Sequence, residues 1–375
     1  MTVLAVLSHI SFSGIRVGLS LAAIDAGATP FVIGALLSVY ALVPTLLSLV
    51  GGRWIDRIGV RRPLFVGTGL MVLGGAVAYA HYDLWTFFAT STLVGSGFLL
   101  SQLVVQKMTG DMGQTAEQRR MLFGLLAIGY SISGVLGPFS SGLLYDRIGG
   151  DRTFLALGGL ALLVMAWLFI RRNSLPGPAA EMPVQRRFSD LLKTPELRRL
   201  YLAVGLISSA WDVHQFVVPI YGRSIGLTGT QVGIVLAAFG LATLIVRLVL
   251  PLLRSLTEWR AIFCAQLVAA VVYAFYPIFQ KYEVLMGLSF ALGLGLGISQ
   301  PMVLSLMHRV TPPGRIGEAA GLRLMIVNGT QTVLPTVFGV LGNAFGVGLL
   351  FWTVGGMLGL GVVSQARSGA GYNET

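Results

Sequence analysis

The chain has 375 residues, of which 55% are hydrophobic and only 11% charged, against roughly 25% charged in an ordinary soluble domain. A mean hydropathy of +0.80 and 49 glycines exclude a soluble globular enzyme and imply an integral membrane protein, since glycine is commoner in transmembrane helices than in soluble ones. A net charge of +11 would suggest nucleic acid for a soluble protein. In a membrane protein the basic residues belong first to loops, so no nucleic-acid partner is expected.

A membrane helix needs about 20 apolar residues. Apolar runs punctuated by Gly, Pro and charge predict six helices near 3–24, 30–51, 63–81, 84–107, 121–145 and 153–171. Six more are predicted near 200–222, 230–250, 260–280, 283–307, 319–342 and 346–365. The first run starts at Val3 without a basic leader or a small-residue cleavage site, so it is expected to be a retained span. This leaves no room for a soluble catalytic domain. The single cysteine, Cys264, can form neither an internal disulfide nor a metal pair. No metal and no cofactor is expected.

With the N-terminus in the cytoplasm, only Arg147, Arg152, Arg223 and Lys281 fall in outside loops, and Arg16 and Arg247 within spans. Every other Lys and Arg is then inside, which places both termini in the cytoplasm. Arg247, near the end of the eighth span, is expected to snorkel to the interface.

The two halves repeat one another. Gly27, Thr29, Gly34 and Leu37 match Gly226, Thr228, Gly233 and Leu236 at an offset of 199, while Gly124, Pro138, Gly142 and Gly149 match Gly321, Pro335, Gly339 and Gly346 at 197. A parallel repeat of this kind gives two pseudo-symmetric six-helix bundles. The expected organisation is an N-terminal bundle over 1–171, a cytoplasmic linker over 172–198 and a C-terminal bundle over 199–375. Within the linker, Phe188, Leu191 and Leu192 could form a short interfacial helix or simply belong to the connection.

Between spans two and three stands Gly52-Arg-Trp-Ile-Asp56-Arg57-Ile-Gly59-Val-Arg61-Arg62. This resembles the signature loop of the major facilitator superfamily, departing from it at Val60. The resemblance implies a cytoplasmic gate at Gly52, Asp56, Arg57, Gly59 and Arg61, in which a carboxylate meets the positive N-terminus of a neighbouring helix. Its second-half counterpart, with Pro251, Ser255 and Glu258, is degraded. Span five, with Gly124, Gly129, Ser133, Gly134, Gly137, Pro138, Ser141 and Gly142, is similar to the glycine series that antiporters of the superfamily carry at this place. Gly124, Gly137, Pro138 and Gly142 are its pivot positions. They would serve equally for plain close packing of helices. The superfamily's arginine before Gly95-x-Gly97 is replaced by Ser91.

Ionisable groups inside spans are costly and usually functional. Asp212 alone among the acidic residues lies near mid-span. His9, Ser13, Arg16 and Ser20 form one polar stripe on the first helix, and Ser208, Trp211, Asp212 and Gln215 another on the seventh. Asp212 is the candidate proton- or cation-carrying group, with Arg16 as its counter-charge or as a clamp for an anionic substrate, and His214 as a secondary relay. A static pair locking spans one and seven is the alternative. His9, Phe12, Ser13, Arg16, Ser208, Trp211, Gln215, Asn328 and Gln331 are the expected cavity residues. Aromatics including Tyr40, Tyr130 and Phe239 could provide further wall, and spans three, six, nine and twelve should face lipid.

With no phosphate-binding loop in the sequence, an ion gradient, most simply of protons, is the expected energy source. The sequence thus predicts a monomeric all-α secondary transporter with twelve transmembrane helices. It would sit in a bilayer, a bacterial inner membrane being the expected one, and exchange protons for a small amphiphilic compound or metabolite. Import of a small organic anion is the alternative; a receptor or a membrane-embedded enzyme finds less support.

Overall fold

In the computed structural model the described residues are 2–112, 115–170, 194–250, 257–312 and 316–367. Within them the side chains at 47–54, 56–57, 116–117, 119–120, 316–318, 320–321 and 365–367 lie outside the description. Twelve α-helices follow one another: α1 Thr2–Asp25, α2 Pro30–Ile58, α3 Arg61–Ala80, α4 Leu84–Met112, α5 Ala116–Ile148, α6 Gly150–Ile170, α7 Pro195–Ser224, α8 Gly229–Val249, α9 Glu258–Phe275, α10 Tyr282–Val310, α11 Ile316–Phe345 and α12 Val347–Arg367. A bilayer offers the backbone no hydrogen-bond partners, so apolar runs of this length fold as helices that satisfy their own amides.

Several helices outrun the predicted spans. α2, α4, α5 and α7 continue by one or two turns beyond the apolar run, because polar residues flanking a span remain good helix formers. α7 begins at Pro195, inside the expected linker, and 172–193 of that linker lie outside the described residues.

Among the described residues ten helices are long and apolar enough to cross a membrane by length and composition. The other two are α2, of which Pro30–Leu46 is the apolar described part, and α7, whose middle carries Asp212, His214 and Gln215. A span that is too polar for a simple hydropathy test is where a functional centre is to be sought.

Helices α1–α6 pack as one bundle and α7–α12 as a second, and the most extensive contacts between them are α5 on α8 and α2 on α11. These two contacts are copies of each other. A Cβ added at Gly34 would stand 2.1 Å from the Pro335 carbonyl oxygen, and one at Gly233 would stand 2.6 Å from that of Pro138. The four residues are the ones that the two sequence offsets pair. The same holds for backbone conformation: Gly27 and Gly226 have φ of 73° and 86°, and Gly149 and Gly346 have 91° and 86°. Exposed Leu155, Leu162, Trp167, Leu267, Val271, Trp352 and Leu360 place α6, α9 and α12 on the periphery.

Local capping sets the start of α8. Thr228 accepts from the Gln231 amide at 3.2 Å while the Gln231 side chain accepts from the Thr228 amide at 2.9 Å. Removing this reciprocal cap with Thr228→Ala should cost about 1 kcal/mol. Thermal unfolding in detergent should show a fall of a few degrees for this variant and none for Thr2→Ala, which holds no such cap.

Candidate transport site

Because twelve successive helices each cross the bundle, the start of α1, the end of α12, the α2–α3 turn and the facing ends of α4 and α5 share one face, the terminal face. Arg16 lies near the middle of α1 and Asp212 near the middle of α7, so the two stand at comparable depth on helices in contact. Asp212 is 1% exposed. Its carboxylate feels the Arg16 charge and has the Thr330 side chain of α11 beside it. No ion pair within 4.0 Å joins Asp212 and Arg16 among the described residues, and Oδ2 of Asp212 and Nε of Arg16 are both buried without a hydrogen-bond partner. Buried polar atoms left unsatisfied are rare in folded proteins and call for an explanation.

The half-buried Ser208 and Gln215 occupy the same side of α7 as Asp212, while Asn328 and Gln331, also half-buried, lie on α11 on either side of Thr330 in sequence. A crevice of about 410 Å³ opens between α7, α11 and α12, lined among others by Tyr201, Gly205, Ser209, Ile326 and Thr330. It reaches the residue that stands beside Asp212.

The α1 stripe leads to a second group. His9 Nδ1 lies 2.7 Å from the Ser133 hydroxyl of α5, so a serine within the span-five glycine series holds the histidine. Ser13 donates to the His9 carbonyl at 2.7 Å. Phe12 stacks on Phe98 at 4.0 Å, Tyr40 lies 4.8 Å from Phe12, and His9 lies 5.1 Å from Tyr130. The Tyr40 hydroxyl is spent on the Phe12 carbonyl at 2.7 Å, which leaves an aromatic wall with few free polar groups. Across the molecule Trp211 meets Phe239 edge-on at 4.6 Å.

His214 is not brought to this locus. It is fully buried, stacks on Phe239, and pairs its Nε2 with the Ser289 hydroxyl at 2.9 Å, which in turn contacts Tyr276 at 2.8 Å. Residues two apart on a helix diverge by about 200°, so Asp212 and His214 serve different surroundings. Arg247 also differs from expectation: instead of snorkelling it crosses to α5, donating to the Ala127 carbonyl at 3.1 Å and Ser131 at 2.6 Å, and to Gln300 at 2.6 Å. A bundle interface beside the helix end offered three acceptors closer than water.

Among the pivot positions, Gly137 packs on α1 with Ser13 Oγ 2.0 Å from where its Cβ would be, and Gly142 packs on α8 with the Gly229 carbonyl oxygen at 2.1 Å. Pro138 lends its carbonyl to the Gly233 contact. Gly124 has open space about it and joins no such contact. Of the gate residues, Gly59 ends α2 with a φ of 78° and Arg61, exposed, begins α3. The side chains of Asp56 and Arg57, and the environment of Gly52, lie outside the described residues, as do Pro251 and Ser255.

Several contacts had no sequence forecast. Asp25 pairs with Arg223 at 2.5 Å and accepts from Tyr145 at 2.9 Å, closing the two bundles at the face opposite the termini. Ser38 accepts from the Thr336 amide at 3.1 Å on the α2–α11 side. Phe98 and Thr330 were equally unmarked, since a lone aromatic or threonine in a span carries no periodic signal.

The family model of the Major Facilitator Superfamily matches residues 1–257 and again 200–366. The chain belongs to the major facilitator superfamily. As a member it is an integral membrane transporter, and the second match falls on the half that the internal repeat predicts. Among curated relatives it is 25% identical over 218 residues to a probable sugar efflux transporter of Helicobacter acinonychis, covering 56% of this chain and 53% of that protein. It thus spans about half the length of that relative. It is 22% identical over 334 residues to the multi-drug resistance efflux pump PmrA of Streptococcus pneumoniae, covering 86% of this chain and 82% of the pump. Among solved structures, a POT family transporter in complex with a thioalcohol-conjugated peptide superposes with a TM-score of 0.83 at 14% identity, over 99% of this chain and 95% of that one. At that identity the likeness speaks for the fold alone.

Proposed function

We propose that this superfamily member exports a small amphiphilic compound or metabolite in exchange for protons, by rocking its two six-helix bundles about a midplane site. The observation that carries the proposal is Asp212, a buried carboxylate in the middle of α7 that feels Arg16 without being tied to it. An ionised group at the bilayer centre costs about 2.5–3.5 kcal/mol. Taking up a proton removes the charge, and the presence or absence of that charge changes what Arg16 can bind.

The aromatic wall of Phe12, Phe98 and Tyr130 suits the apolar part of a substrate, while Ser208, Gln215, Asn328 and Gln331 suit its polar part. Outward direction is supported by the efflux relatives and by the Gly137-Pro138 and Gly142 pivots. The charge asymmetry of the loops supports placing the terminal face in the cytoplasm; a monomer in a bacterial inner membrane belongs to the same reading. A second reading, import of a small organic anion, draws on the buried and unpartnered Nε of Arg16.

The test is accumulation of a panel of dyes, antibiotics and metabolites in cells lacking their main efflux pumps, with and without the protein. Export predicts lower accumulation of at least one compound, restored when the proton gradient is collapsed. Higher accumulation with the protein present would replace export by import.

A further inference from the structure

The signature loop occurs twice. The end of α5, Gly142-Leu-Leu-Tyr-Asp146-Arg147-Ile148-Gly149-Gly-Asp-Arg152, repeats the end of α2, Gly52-Arg-Trp-Ile-Asp56-Arg57-Ile58-Gly59-Val-Arg-Arg62, at a constant offset of 90 residues. Glycine, aspartate, arginine, isoleucine, glycine and arginine all recur in place. The backbones agree as well: each helix stops at a glycine of positive φ, 78° at Gly59 and 91° at Gly149, and the next helix begins within two residues. Because α2 and α5 run in opposite directions, the two copies lie on opposite faces of the molecule.

In the second copy the contact is fully described. Asp146 accepts from the Gly229 amide at 2.9 Å through one carboxylate oxygen and from the Thr230 amide at 2.6 Å through the other. These are the first two amides of α8, in the other bundle. An α-helix has four amides at its start without partners of its own. Here the Gln231 amide is served by Thr228, and the amides of Gly229 and Thr230 are served only from across the interface. The carboxylate also meets the positive end of the helix dipole. Gly229 makes the approach possible, since a Cβ there would stand 2.8 Å from Asp146 Oδ1.

Among the described residues the related α2–α11 interface shows no such contact. Its position equivalent to Asp146 is the uncharged, exposed Asn343, and the first residue of α2 is Pro30, which has no amide hydrogen to offer.

We infer that Asp146 is the latch of the face opposite the termini: its carboxylate on the start of α8 holds the two bundles closed there and must let go once in each transport cycle. The inference rests on the alternating-access reading above, but its test does not require a known substrate. Asp25, Arg223 and Tyr145 form a second bridge on the same face, so the latch shifts an equilibrium that this bridge also biases.

Pulsed electron–electron resonance distances would be measured in nanodiscs between spin labels at Trp85→Cys and Lys281→Cys, in a Cys264→Ser background. Both positions are exposed, one in each bundle on this face. Asp146→Asn, which keeps the shape and removes the charge of this exposed side chain, should raise the ratio of long to short distances by about twofold to fivefold. Gly229→Ala, which pushes the carboxylate away from the opposite side, should move it in the same direction. Arg147→Gln, on an exposed residue of the same motif, should leave the distribution in place. An unchanged distribution in Asp146→Asn, or an equal shift in Arg147→Gln, would overturn the latch. A shift in Asp146→Asn and Gly229→Ala with no transport of any compound would uphold the latch and count against the transport reading alone.

Discussion

Asp212→Asn is expected to abolish uphill transport while leaving exchange of substrate down its own gradient. Asparagine has the shape of aspartate and can accept from the same neighbours, but it cannot lose a proton, so the site keeps its geometry and loses its coupling. In proteoliposomes the variant should give no accumulation against a gradient when a pH difference is imposed, a fall of at least tenfold, and counterflow within about threefold of wild type. The alternative role, a static lock between α1 and α7, predicts something else. Truncating one member of a buried ion pair leaves the other charge unpaired and typically costs about 3–5 kcal/mol. A large fall in melting temperature together with loss of both activities would therefore identify a lock. The free Oδ2 of Asp212 and free Nε of Arg16 are the reason for expecting coupling.

The second large effect concerns the glycines between the bundles, and it should be graded. Gly142→Ala places a methyl group 2.1 Å from the Gly229 carbonyl oxygen and 2.8 Å from its carbon. These are backbone atoms that can yield only if α5 and α8 move apart. Overpacking of this kind costs about 1–3 kcal/mol, and it acts where the two bundles meet, so transport should fall by at least tenfold. Gly137→Ala meets chiefly the Ser13 hydroxyl, which can rotate away at the expense of its bond to the His9 carbonyl, and a smaller loss is expected. Gly124→Ala meets nothing within 4 Å and should stay within about 0.5 kcal/mol of wild type. Melting temperatures and transport rates of the three variants should rank in that order. Equal tolerance of all three would mean that the glycines of α5 are not a packed pivot.

The fold was largely legible because membrane spans announce themselves by length and apolarity, and because the prolines at 138 and 335 and the glycines beside them recur in register. Those same residues meet across the bundle interfaces, so the sequence repeat and the contact symmetry have one physical origin. Helix ends were less legible, since nothing in hydropathy marks where a helix continues past the membrane, as α5 does to Ile148.

At the site, Asp212 and Arg16 stood out because charge in a span is conspicuous. Side-chain direction did not. His214 adjoins Asp212 in sequence yet turns to Ser289, and Arg247, which chain position alone would send to the interface, finds acceptors on α5 and α10 instead. The repeat of the signature loop at Asp146 was present in the sequence, but a family pattern directs attention to its usual place. What Asp146 binds became apparent only when α8 was seen to start beside it.

The most direct test of the central claim is proton movement coupled to substrate movement. Purified protein would be reconstituted with a pH-sensitive dye inside the vesicles, and a compound whose cellular accumulation it lowers would be added outside. Proton-coupled exchange predicts a pH change inside that begins with substrate entry, runs opposite to it in direction, and is absent with Asp212→Asn. Substrate entry at the wild-type rate with no pH change, or with protons moving the same way as substrate, would contradict it.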